Sequence, residues 1–572
     1  MQFSVSPVLE KALPVWRSRL LLFILLASFV TLAGRAVWLQ MISDEFLQKQ
    51  GAYRYARTLE LPATRGRITD RNGDVLALSL PVKAVWAIPE DVEGTPPEKL
   101  RELARLLDMD QRELSKKLGS HRTFVYLKRQ VENDTVDKIL KLGIKGIETR
   151  KEYKRYYPYG SAMAHIVGFT NVEDAGQEGM ELAHQSKLAG RVGSRRVIKD
   201  RLGRVVEDVG LTRLARDGEN LALSIDRNIQ HIANTHLKEV LEKHQAKAAG
   251  IVVLDVRTGE VLALANLPNY DPNDRSRLTG AQLRNRVLTD TFEPGSVIKP
   301  FTIALALETG LVTPSTLVET SPGRLTIGRS TIGDAKRHGT LTVAQVLQKS
   351  SNVGTAKLAL QMQPEQMWNM LTSVGFGQAP QLGFPGTAAG RVRPHGSWKP
   401  IEQATISYGH GISTSLMQMA QSYMIFARDG DMVPVTLMKR EGAPPARQVI
   451  SRKTAREVRA MMEMAAGPEG TASRAQIPGY RVAGKTSTAH KVVNGKYERK
   501  YIASFVGLAP VSNPRIIVAV MVDEPTTGGY FGGLVAAPVF AAVTRNVLRE
   551  LNVAPDSPVT DIITTESVPE SF

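Results

Sequence analysis

The chain has 572 residues, 42% apolar and 23% charged, which excludes a disordered chain and predicts two or more globular domains. Its formal net charge is +17, but the basic residues are spread along the chain without a recognisable module, so no nucleic acid partner is expected. It has no cysteine and its 10 histidines show no H-E-x-x-H spacing, which excludes a disulfide framework and a thiolate nucleophile and leaves no expected metal or cofactor site.

A long apolar run lies near the N-terminus. It covers residues 20–41, is interrupted by Arg35 and is preceded by basic residues. The run is long for a signal-peptide core and no small-residue cleavage site closes it, so it predicts an uncleaved transmembrane signal anchor. Its positive flank predicts that residues 1–19 are a short cytoplasmic segment and that the following chain lies outside the cytoplasmic membrane.

Residues 52–217 are rich in charged residues, with glycines at intervals and short strand-like runs. Helical periodicity at 97–107 and 136–142 predicts an elongated α+β module without a catalytic constellation of its own. A set of charged residues is predicted to form an internal structural network in this module: Arg65, Arg67, Asp70, Arg155 and Glu181.

A second domain is predicted over residues 221–553. Alternating apolar residues, turn signals and helical periodicity predict its elements: strands at 221–226, 249–255, 260–266, 480–485, 502–508 and 516–522, and helices at 227–243 and from Ser296 onward. The order predicts an α+β fold in which helices cover an antiparallel sheet and a site lies between the sheet and a helical lobe. The polar residues 554–572 are predicted to be a disordered tail.

Three short strings in this domain carry candidate chemistry. In Ser296-Val297-Ile298-Lys299 the spacing places serine and lysine on one helix face, one turn apart. A lysine buried beside a second cation can lose its charge, so it can act as the base that activates Ser296 as a nucleophile.

The other two strings supply a proton relay and a substrate site. The hydroxyl of Ser350 is predicted to relay a proton, and the amide of Asn352 to hold a substrate carbonyl. The third string is predicted to lie on a strand edge and to bind a substrate carboxylate through one fixed cation and nearby hydroxyl groups. Its residues are Lys485, Thr486, Ser487 and Thr488. Each string alone is a weak signal, but their order and separation together predict an acyl-transfer site.

With these strings in this order, the chain resembles the class B penicillin-binding proteins, D,D-transpeptidases that cross-link peptidoglycan, and most of all the septal type used in cell division. The resemblance extends from about Arg17 to about Val553. Further matching motifs are Arg65–Gly73, Arg155 with Tyr157–Gly160, Gly176–Glu181, Asn285–Asp290, Phe292–Gly295, Ser407–Gly411, Ile502–Gly507 and Gly528–Gly533.

The resemblance implies a serine acyl-enzyme. A stem peptide ending in D-Ala-D-Ala would lie along the strand that carries Lys485, and the backbone amides of Ser296 and Thr488 would form the oxyanion hole. Penicillins and other β-lactams would leave a stable ester on Ser296. The family motifs also imply further substrate-binding residues: Tyr408, Tyr530 and Phe531.

The resemblance also implies a location and partners. The protein would be a single-pass protein of the bacterial inner membrane, with a cytoplasmic N-terminus and the bulk of the chain in the periplasm. Residues 52–217 would form a pedestal of the penicillin-binding protein dimerisation type, which meets other division proteins. No motif for polymerising glycan strands is visible, so a membrane glycosyltransferase is an expected partner.

The sequence departs from the family pattern at two positions. Ser487 occupies the place of a glycine, where its side chain is expected to crowd the pocket, and Leu416 replaces a proline. These departures leave open a specialised or non-catalytic division paralogue with weakened activity. The same chemistry is also compatible with a D,D-carboxypeptidase, a serine β-lactamase or a penicillin-sensing receptor.

A phosphate-loop pattern also covers residues 479–486 and suggests an NTPase. That mechanism needs a strand before the glycines and a helix that begins at the lysine. Pro478 stands before the first glycine instead, and a hairpin signal at 492–497 follows the lysine. The sequence therefore favours a strand at Lys485 over a nucleotide site.

Overall fold

The computed structural model describes residues 14–42, 56–120, 123–199, 205–493 and 495–559. The described residues form two compact units, the first within the ranges Met1–Ala63 and Arg191–Arg216, and the second within Thr64–Gly190 and Asp217–Phe572. Most of the predicted cytoplasmic segment, and the predicted tail from residue 560 onward, lie outside the described residues.

The first unit contains an apolar helix and a small sheet. Helix α1 is Val15–Val37 and continues as a π-helical turn, Trp38–Ile42. Among the described residues one stretch, Val15–Gln40, is long and apolar enough to cross a membrane, since 26 helical residues span about 39 Å against a hydrocarbon thickness of about 30 Å. The sheet is antiparallel and consists of β1 (Ala56–Leu61), β6 (Gly193–Lys199) and β7 (Val205–Arg213).

The N-terminal part of the second unit is an α+β region, as predicted. Its strands are β2 (Ile68–Thr69), β3 (Val75–Ala87), β4 (Val125–Val131) and β5 (Ile147–Tyr156), and β2 also pairs with β8 (Leu221–Ala222). Its helices are α2 (Pro89–Val92), α3 (Pro97–Leu106), α4 (Gln111–Leu118), α5 (Asn133–Lys141), α6 (Ala164–Val167), α7 (Gly179–Ala183) and α8 (Gln185–Leu188). The two helices predicted by periodicity are thus present as α3 and α5.

A buried ion network lies in this region, but it is smaller than predicted. Glu181 is fully buried and its two carboxylate oxygens accept hydrogen bonds from Arg65 Nε at 2.6 Å and Arg155 Nε at 2.7 Å. The side chain of Arg67 is exposed, whereas those of Arg65 and Ile68 are buried. Asp70 instead accepts hydrogen bonds from backbone amides of its own turn. Arg67 and Asp70 therefore do not belong to the network.

The rest of the second unit is built on one five-stranded antiparallel sheet. Its strands, in spatial order, are β10 (Val261–Leu267), β9 (Ala248–Asp255), β19 (Ile516–Asp523), β18 (Lys496–Ala509) and β17 (Ala483–Val493). Alternate residues of β19 contribute to two different core clusters, Ile516, Val518, Val520 and Val522 to one and Ile517, Ala519 and Met521 to the other. Because side chains alternate along a strand, both faces of the sheet are buried.

Helices cover both faces of this sheet. One face packs against α9 (Arg227–His244) and α20 (Gly532–Glu550). The other face packs against a helical lobe that includes α12 (Lys299–Glu308), α17 (Leu416–Ser422) and α18 (Met424–Ala427). The predicted α+β fold, with an antiparallel sheet between helices, is confirmed.

Shorter elements complete the lobe and its surface. The remaining helices are α10 (Gly280–Leu283), α11 (Arg286–Thr289), α13 (Val343–Gln348), α14 (Asn352–Ala359), α15 (Pro364–Ser373), α16 (Pro400–Ile406) and α19 (Arg452–Ala466). The remaining strands form hairpin-like pairs: β11 (Leu317–Glu319) with β14 (Thr340–Thr342), β12 (Arg324–Ile327) with β13 (Ser330–Gly333), and β15 (Asp431–Met432) with β16 (Arg447–Gln448).

Several boundaries differ from the sequence prediction. The strand predicted at 221–226 is limited to Leu221–Ala222, and the helix predicted from Ser296 onward begins at Lys299 after a 3-10 turn. Strands β17 and β18 form a hairpin longer than expected, because its outer half, described at residues 490–492 and 495–501, is mostly polar and partly exposed and so lacks the buried apolar pattern. The predicted tail is held in place as far as residue 559, since the carboxylate of Asp556 accepts hydrogen bonds from the backbone amides of Arg481 and Ser512.

Candidate active site

The nucleophile candidate lies in a tight turn against a second loop. Residues Gly295–Ile298 form a 3-10 turn that leads into α12, and Gly295 has a φ of +58°. Gly409 has a φ of +90°, and a Cβ on it would lie 2.2 Å from the carbonyl oxygen of Gly295. Both positions therefore require glycine, and their close approach holds Ser296 at the start of the helix, 5% exposed.

A hydrogen-bonded path connects the predicted nucleophile and base. Lys299 is fully buried, and its Nζ donates to the carbonyl oxygen of Ser350 at 2.5 Å and to Ser350 Oγ at 3.0 Å. Ser350 Oγ in turn donates to Ser296 Oγ at 3.2 Å. The structure thus brings the three residues together and links the amine to the nucleophile through the predicted relay hydroxyl.

The loop that carries Ser350 is held by a carboxylate. Ser350 adopts a left-handed conformation, with φ of +61°, just before α14 begins at Asn352. Asp334 accepts hydrogen bonds from Ser351 Oγ and the backbone amide of Asn352, each at 2.6 Å, and from the amide of Val353 at 2.9 Å. Because these groups cap the helix, Asp334 positions both Ser350 and Asn352. No sequence motif indicated this residue.

The third predicted string lies on β17, the outermost strand of the sheet. Lys485 is fully buried, and its Nζ donates to the carbonyl oxygen of Thr486 at 3.2 Å. The hydroxyl of Thr486 is hydrogen-bonded to that of Thr471 at 3.0 Å, and Thr488 Oγ1 accepts from the backbone amide of Gly532 at 2.9 Å. Since the strand continues through Lys485 to Val493, no helix begins at the lysine and the phosphate-loop hypothesis is wrong.

The predicted aromatic residues lie around this strand. The ring of Tyr530 stacks on Tyr501 of β18 at 4.1 Å, and Phe531 lies 4.7 Å from Tyr530. Both precede Gly532, the residue that binds Thr488, so they adjoin β17. Tyr408 is buried and lines a cavity of about 350 Å³ beside the helical lobe, together with His410 and Tyr497.

A cluster of polar side chains at the same loops was not predicted. The carboxylate of Glu293 accepts hydrogen bonds from the amide of Gly411 at 2.8 Å and from Tyr497 Oη at 3.1 Å, and lies 3.4 Å from His410 Nδ1. Burial raises the pKa of Glu293. Burial, helped by the charges of Lys299 and His490, lowers the pKa of His410 to about 4, so this imidazole is neutral at pH 7.

The sequence of the region that carries these residues matches a known protein family. Residues 249–545 match the penicillin-binding protein transpeptidase domain, which is more than half of the chain, and residues 60–223 match the penicillin-binding protein dimerisation domain. The chain belongs to the class B penicillin-binding proteins. The predicted family, fold class and enzyme class are confirmed.

Individual relatives agree with the family assignment. The penicillin-binding protein is 42% identical over 546 residues to the probable peptidoglycan D,D-transpeptidase PenA of Neisseria meningitidis serogroup A, a match that covers 94% of each chain. It is 41% identical over 549 residues to the peptidoglycan D,D-transpeptidase FtsI of Escherichia coli K12, which covers 95% of this chain and 93% of FtsI. The solved transpeptidase domain of Burkholderia pseudomallei penicillin-binding protein 3 is 54% identical, with a TM-score of 0.55, and the match covers 59% of this chain and 98% of that one.

Ser487, the residue at the usual glycine position, lies against the nucleophile turn of this penicillin-binding protein. A Cβ on Gly295 would lie 2.3 Å from Ser487 Oγ, so the hydroxyl fills the space between β17 and the turn. Among the described residues, this buried oxygen has no hydrogen-bond partner. An unpaired buried hydroxyl costs free energy, and here it separates the strand from the residue before Ser296.

Ser487→Gly is expected to accelerate acylation of Ser296 by a fluorescent penicillin about fivefold. Removing the hydroxyl lets β17 and the nucleophile turn approach each other. Lowering the activation free energy of acylation by about 1 kcal/mol makes the reaction about fivefold faster. The measurement is the rate of covalent labelling at limiting penicillin. Ser487→Ala, which keeps the Cβ, serves as the control for the hydroxyl alone. Labelling of the glycine variant at or below the wild-type rate would show that Ser487 does not obstruct the site.

Proposed function

We propose that this penicillin-binding protein cross-links peptidoglycan stem peptides during septal wall synthesis through an acyl-enzyme on Ser296. The observation that carries the proposal is the buried path from Lys299 through Ser350 to Ser296. An amine and two hydroxyls in such a chain can withdraw a proton from one serine and return it to a leaving group. The match to the transpeptidase domain supports the same chemistry.

Acylation is the first half of the proposed reaction. Ser296 Oγ attacks the carbonyl carbon of the penultimate D-alanine, and its proton passes through Ser350 Oγ to Lys299 Nζ. The backbone amides of Ser296 and Thr488 stabilise the oxyanion, each donor contributing about 100-fold or more in rate. When the tetrahedral intermediate collapses, the peptide bond breaks and the same path returns the proton to the amine of the departing D-alanine.

Deacylation completes the cross-link. The amine of a second stem peptide attacks the ester carbonyl, loses a proton to the base, and forms a new amide bond as Ser296 Oγ leaves and is reprotonated. An amine acceptor distinguishes this reaction from a D,D-carboxypeptidase, in which water takes the same place. A β-lactam that imitates D-Ala-D-Ala would acylate Ser296 in the same way and leave a stable ester.

The donor peptide is proposed to add as a strand along β17, whose position at the sheet edge suits backbone pairing. Its terminal carboxylate would bind in the field of Lys485, close to the hydroxyls of Thr486 and Thr488, and Asn352 would hold its backbone. Tyr530 and Phe531 would form an apolar wall on one side of the peptide. Tyr408 is proposed to contact it from the helical lobe.

We infer the location and partners from the rest of the chain. The apolar helix Val15–Gln40 supports a single inner-membrane anchor, for which the predicted span is 20–41, with residues 1–19 cytoplasmic and the bulk of the chain periplasmic. Family matches at 60–223 and 249–545 support a pedestal domain and a transpeptidase domain. The pedestal is proposed to bind other division proteins, among them a membrane glycosyltransferase that supplies glycan strands.

The test is covalent labelling of the full chain by a fluorescent penicillin, followed by gel and intact mass over hours. Wild type is expected to carry one stable adduct and Ser296→Ala none, with a loss of at least about 1,000-fold in labelling rate because the nucleophile is absent. Ser397→Ala, at an exposed serine, should label like wild type. A rapidly released adduct would indicate a β-lactamase, and no adduct on folded wild-type protein would indicate a non-catalytic paralogue.

A further inference from the structure

The loop between β19 and α20 carries the aromatic residues proposed to form one wall of the peptide site. It covers residues 524–531, with Tyr530 near its end. Residues 526–529 are exposed, and two of them, Gly528 and Gly529, have φ of +74° and +97°. An exposed segment with adjacent glycines has many accessible conformations unless hydrogen bonds hold it in one. The placement of Tyr530 therefore depends on the groups that hold the loop.

His244 holds the middle of this loop. It is the last residue of α9 and is buried. Its backbone carbonyl, which has no partner inside the helix because it lies at the helix end, accepts hydrogen bonds from the amides of Thr526 at 2.9 Å and Thr527 at 3.1 Å. Its Nδ1 lies 2.8 Å from the carbonyl oxygen of Thr527. Because a carbonyl oxygen can only accept, Nδ1 carries the proton and donates it to this hydrogen bond, so one residue fixes both backbone groups of Thr527.

The loop also packs directly on the imidazole. A Cβ on Gly528 would lie 3.3 Å from His244 Nδ1, which is tighter than ordinary van der Waals contact. The positive φ of Gly528 disfavours a side chain there as well. The contact between the end of α9 and the loop is therefore matched to glycine at this position.

The two ends of the loop are fixed on either side of Tyr530. At its start, the amide of Glu524 donates to the carbonyl oxygen of Tyr501 at 2.9 Å. After it, Gly532 is buried in the first turn of α20 and donates to Thr488 Oγ1 at 2.9 Å. The ring of Tyr530 stacks on that of Tyr501, with centroids 4.1 Å apart and planes inclined by 11°. Because α20 itself fixes Gly532, a displacement of the loop moves Tyr530 more than Thr488.

We propose that His244 is a positioning residue for the peptide site, which holds the loop so that Tyr530 lies against Tyr501 beside β17. The proposal rests on the proposed transpeptidase function, because it assigns a role in that same site. Among the described residues, the side chain and the carbonyl of His244 bond to Thr526 and Thr527 and to no member of the proton path. Loss of His244 is therefore expected to weaken binding of the peptide and of penicillin and to leave the acylation step unchanged.

The test is the saturation kinetics of labelling by a fluorescent penicillin in the detergent-solubilised full chain, which separates the dissociation constant of the initial complex from the maximal acylation rate. His244→Leu removes the donor and keeps a similar side-chain volume. Its dissociation constant is expected to rise about fivefold, the usual effect of losing one hydrogen bond, with a maximal acylation rate within about twofold of wild type. The matched control is His231→Leu, at an exposed histidine of the same helix, which should behave as wild type.

Two further variants distinguish positioning from a general structural role. The amide of His244→Asn can donate from a similar position, so this variant should bring the dissociation constant to within about twofold of wild type. Tyr530→Ala should weaken binding by itself, and adding His244→Leu to it should have no further effect, because His244 acts through Tyr530. An additive loss in the double variant would overturn the proposal.

Gly528→Ala disturbs the same contact from the loop side, so it does not depend on the folding of the His244 variants. It should raise the dissociation constant in the same way, and the midpoint of urea unfolding reports whether each variant is folded. Folded His244→Leu and Gly528→Ala proteins with the wild-type dissociation constant, or a loss confined to the maximal acylation rate, would overturn the proposal alone. Absence of a Ser296 adduct on wild type would instead overturn the proposed function and, with it, the role of His244.

Discussion

Lys299→Met is expected to slow the acylation of Ser296 by about 100- to 10,000-fold, the usual contribution of a general base. Methionine fills a similar volume in this fully buried position but cannot accept the proton that leaves Ser296 through Ser350. The measurement is the second-order rate constant for labelling by a fluorescent penicillin.

Two further variants make this result specific to the base. Lys299→Arg places a guanidinium there that stays protonated and cannot accept the proton, so it should be as inactive as the methionine variant. Lys357→Met, on α14, replaces a lysine that donates to a backbone carbonyl at the surface and should label at the wild-type rate. A Lys299→Met protein that keeps more than about a tenth of the wild-type rate would show that another group accepts the proton.

Glu181→Gln is expected to lower the free energy of unfolding by about 3–5 kcal/mol, the usual cost of removing one partner from a buried ion pair. The substitution leaves Arg65 and Arg155 buried without their shared carboxylate, while the neutral amide retains the shape of the side chain. The measurement is the midpoint of urea unfolding of the purified chain, followed by tryptophan fluorescence.

A surface ion pair of the same region provides the control. Glu173 pairs with Arg129 at 2.9 Å, but its side chain is 65% exposed, so Glu173→Gln should cost less than about 1 kcal/mol. A midpoint for Glu181→Gln equal to that of Glu173→Gln would mean that the buried network contributes no more than a surface pair.

The elements that the sequence predicted well are those whose signal is local. Strand β19 was predicted to within one residue, because Ile516 to Val522 is an unbroken apolar run that must be buried on both faces. Helix α9 was predicted equally closely, because Asp226 caps it and apolar residues recur with helical spacing. The hairpin of β17 and β18 was predicted too short, since its outer half has no buried apolar pattern.

The residues of the candidate site also divide into those with a local sequence signal and those without one. The one-turn spacing of Ser296 and Lys299 is visible in the sequence, and so are the strings around Asn352 and Lys485. Asp334 gave no signal, because its role depends on a hairpin that returns to the start of α14. The cluster around Glu293 was likewise invisible, since it joins that residue to Tyr497 across 204 positions of the chain.

The sequence by itself determined the family of this protein, the α+β class of its catalytic region, the apolar N-terminal helix and the identity of the residues proposed for acyl transfer. Only the tertiary structure decided that Ser350 bridges Lys299 and Ser296, that Ser487 lies against Gly295, and that the end of α9 holds the loop after β19. Residue type and local spacing specify which chemistry a chain can perform. Distances between side chains far apart in sequence are set by the packing of the sheet against its helices, which no local pattern encodes.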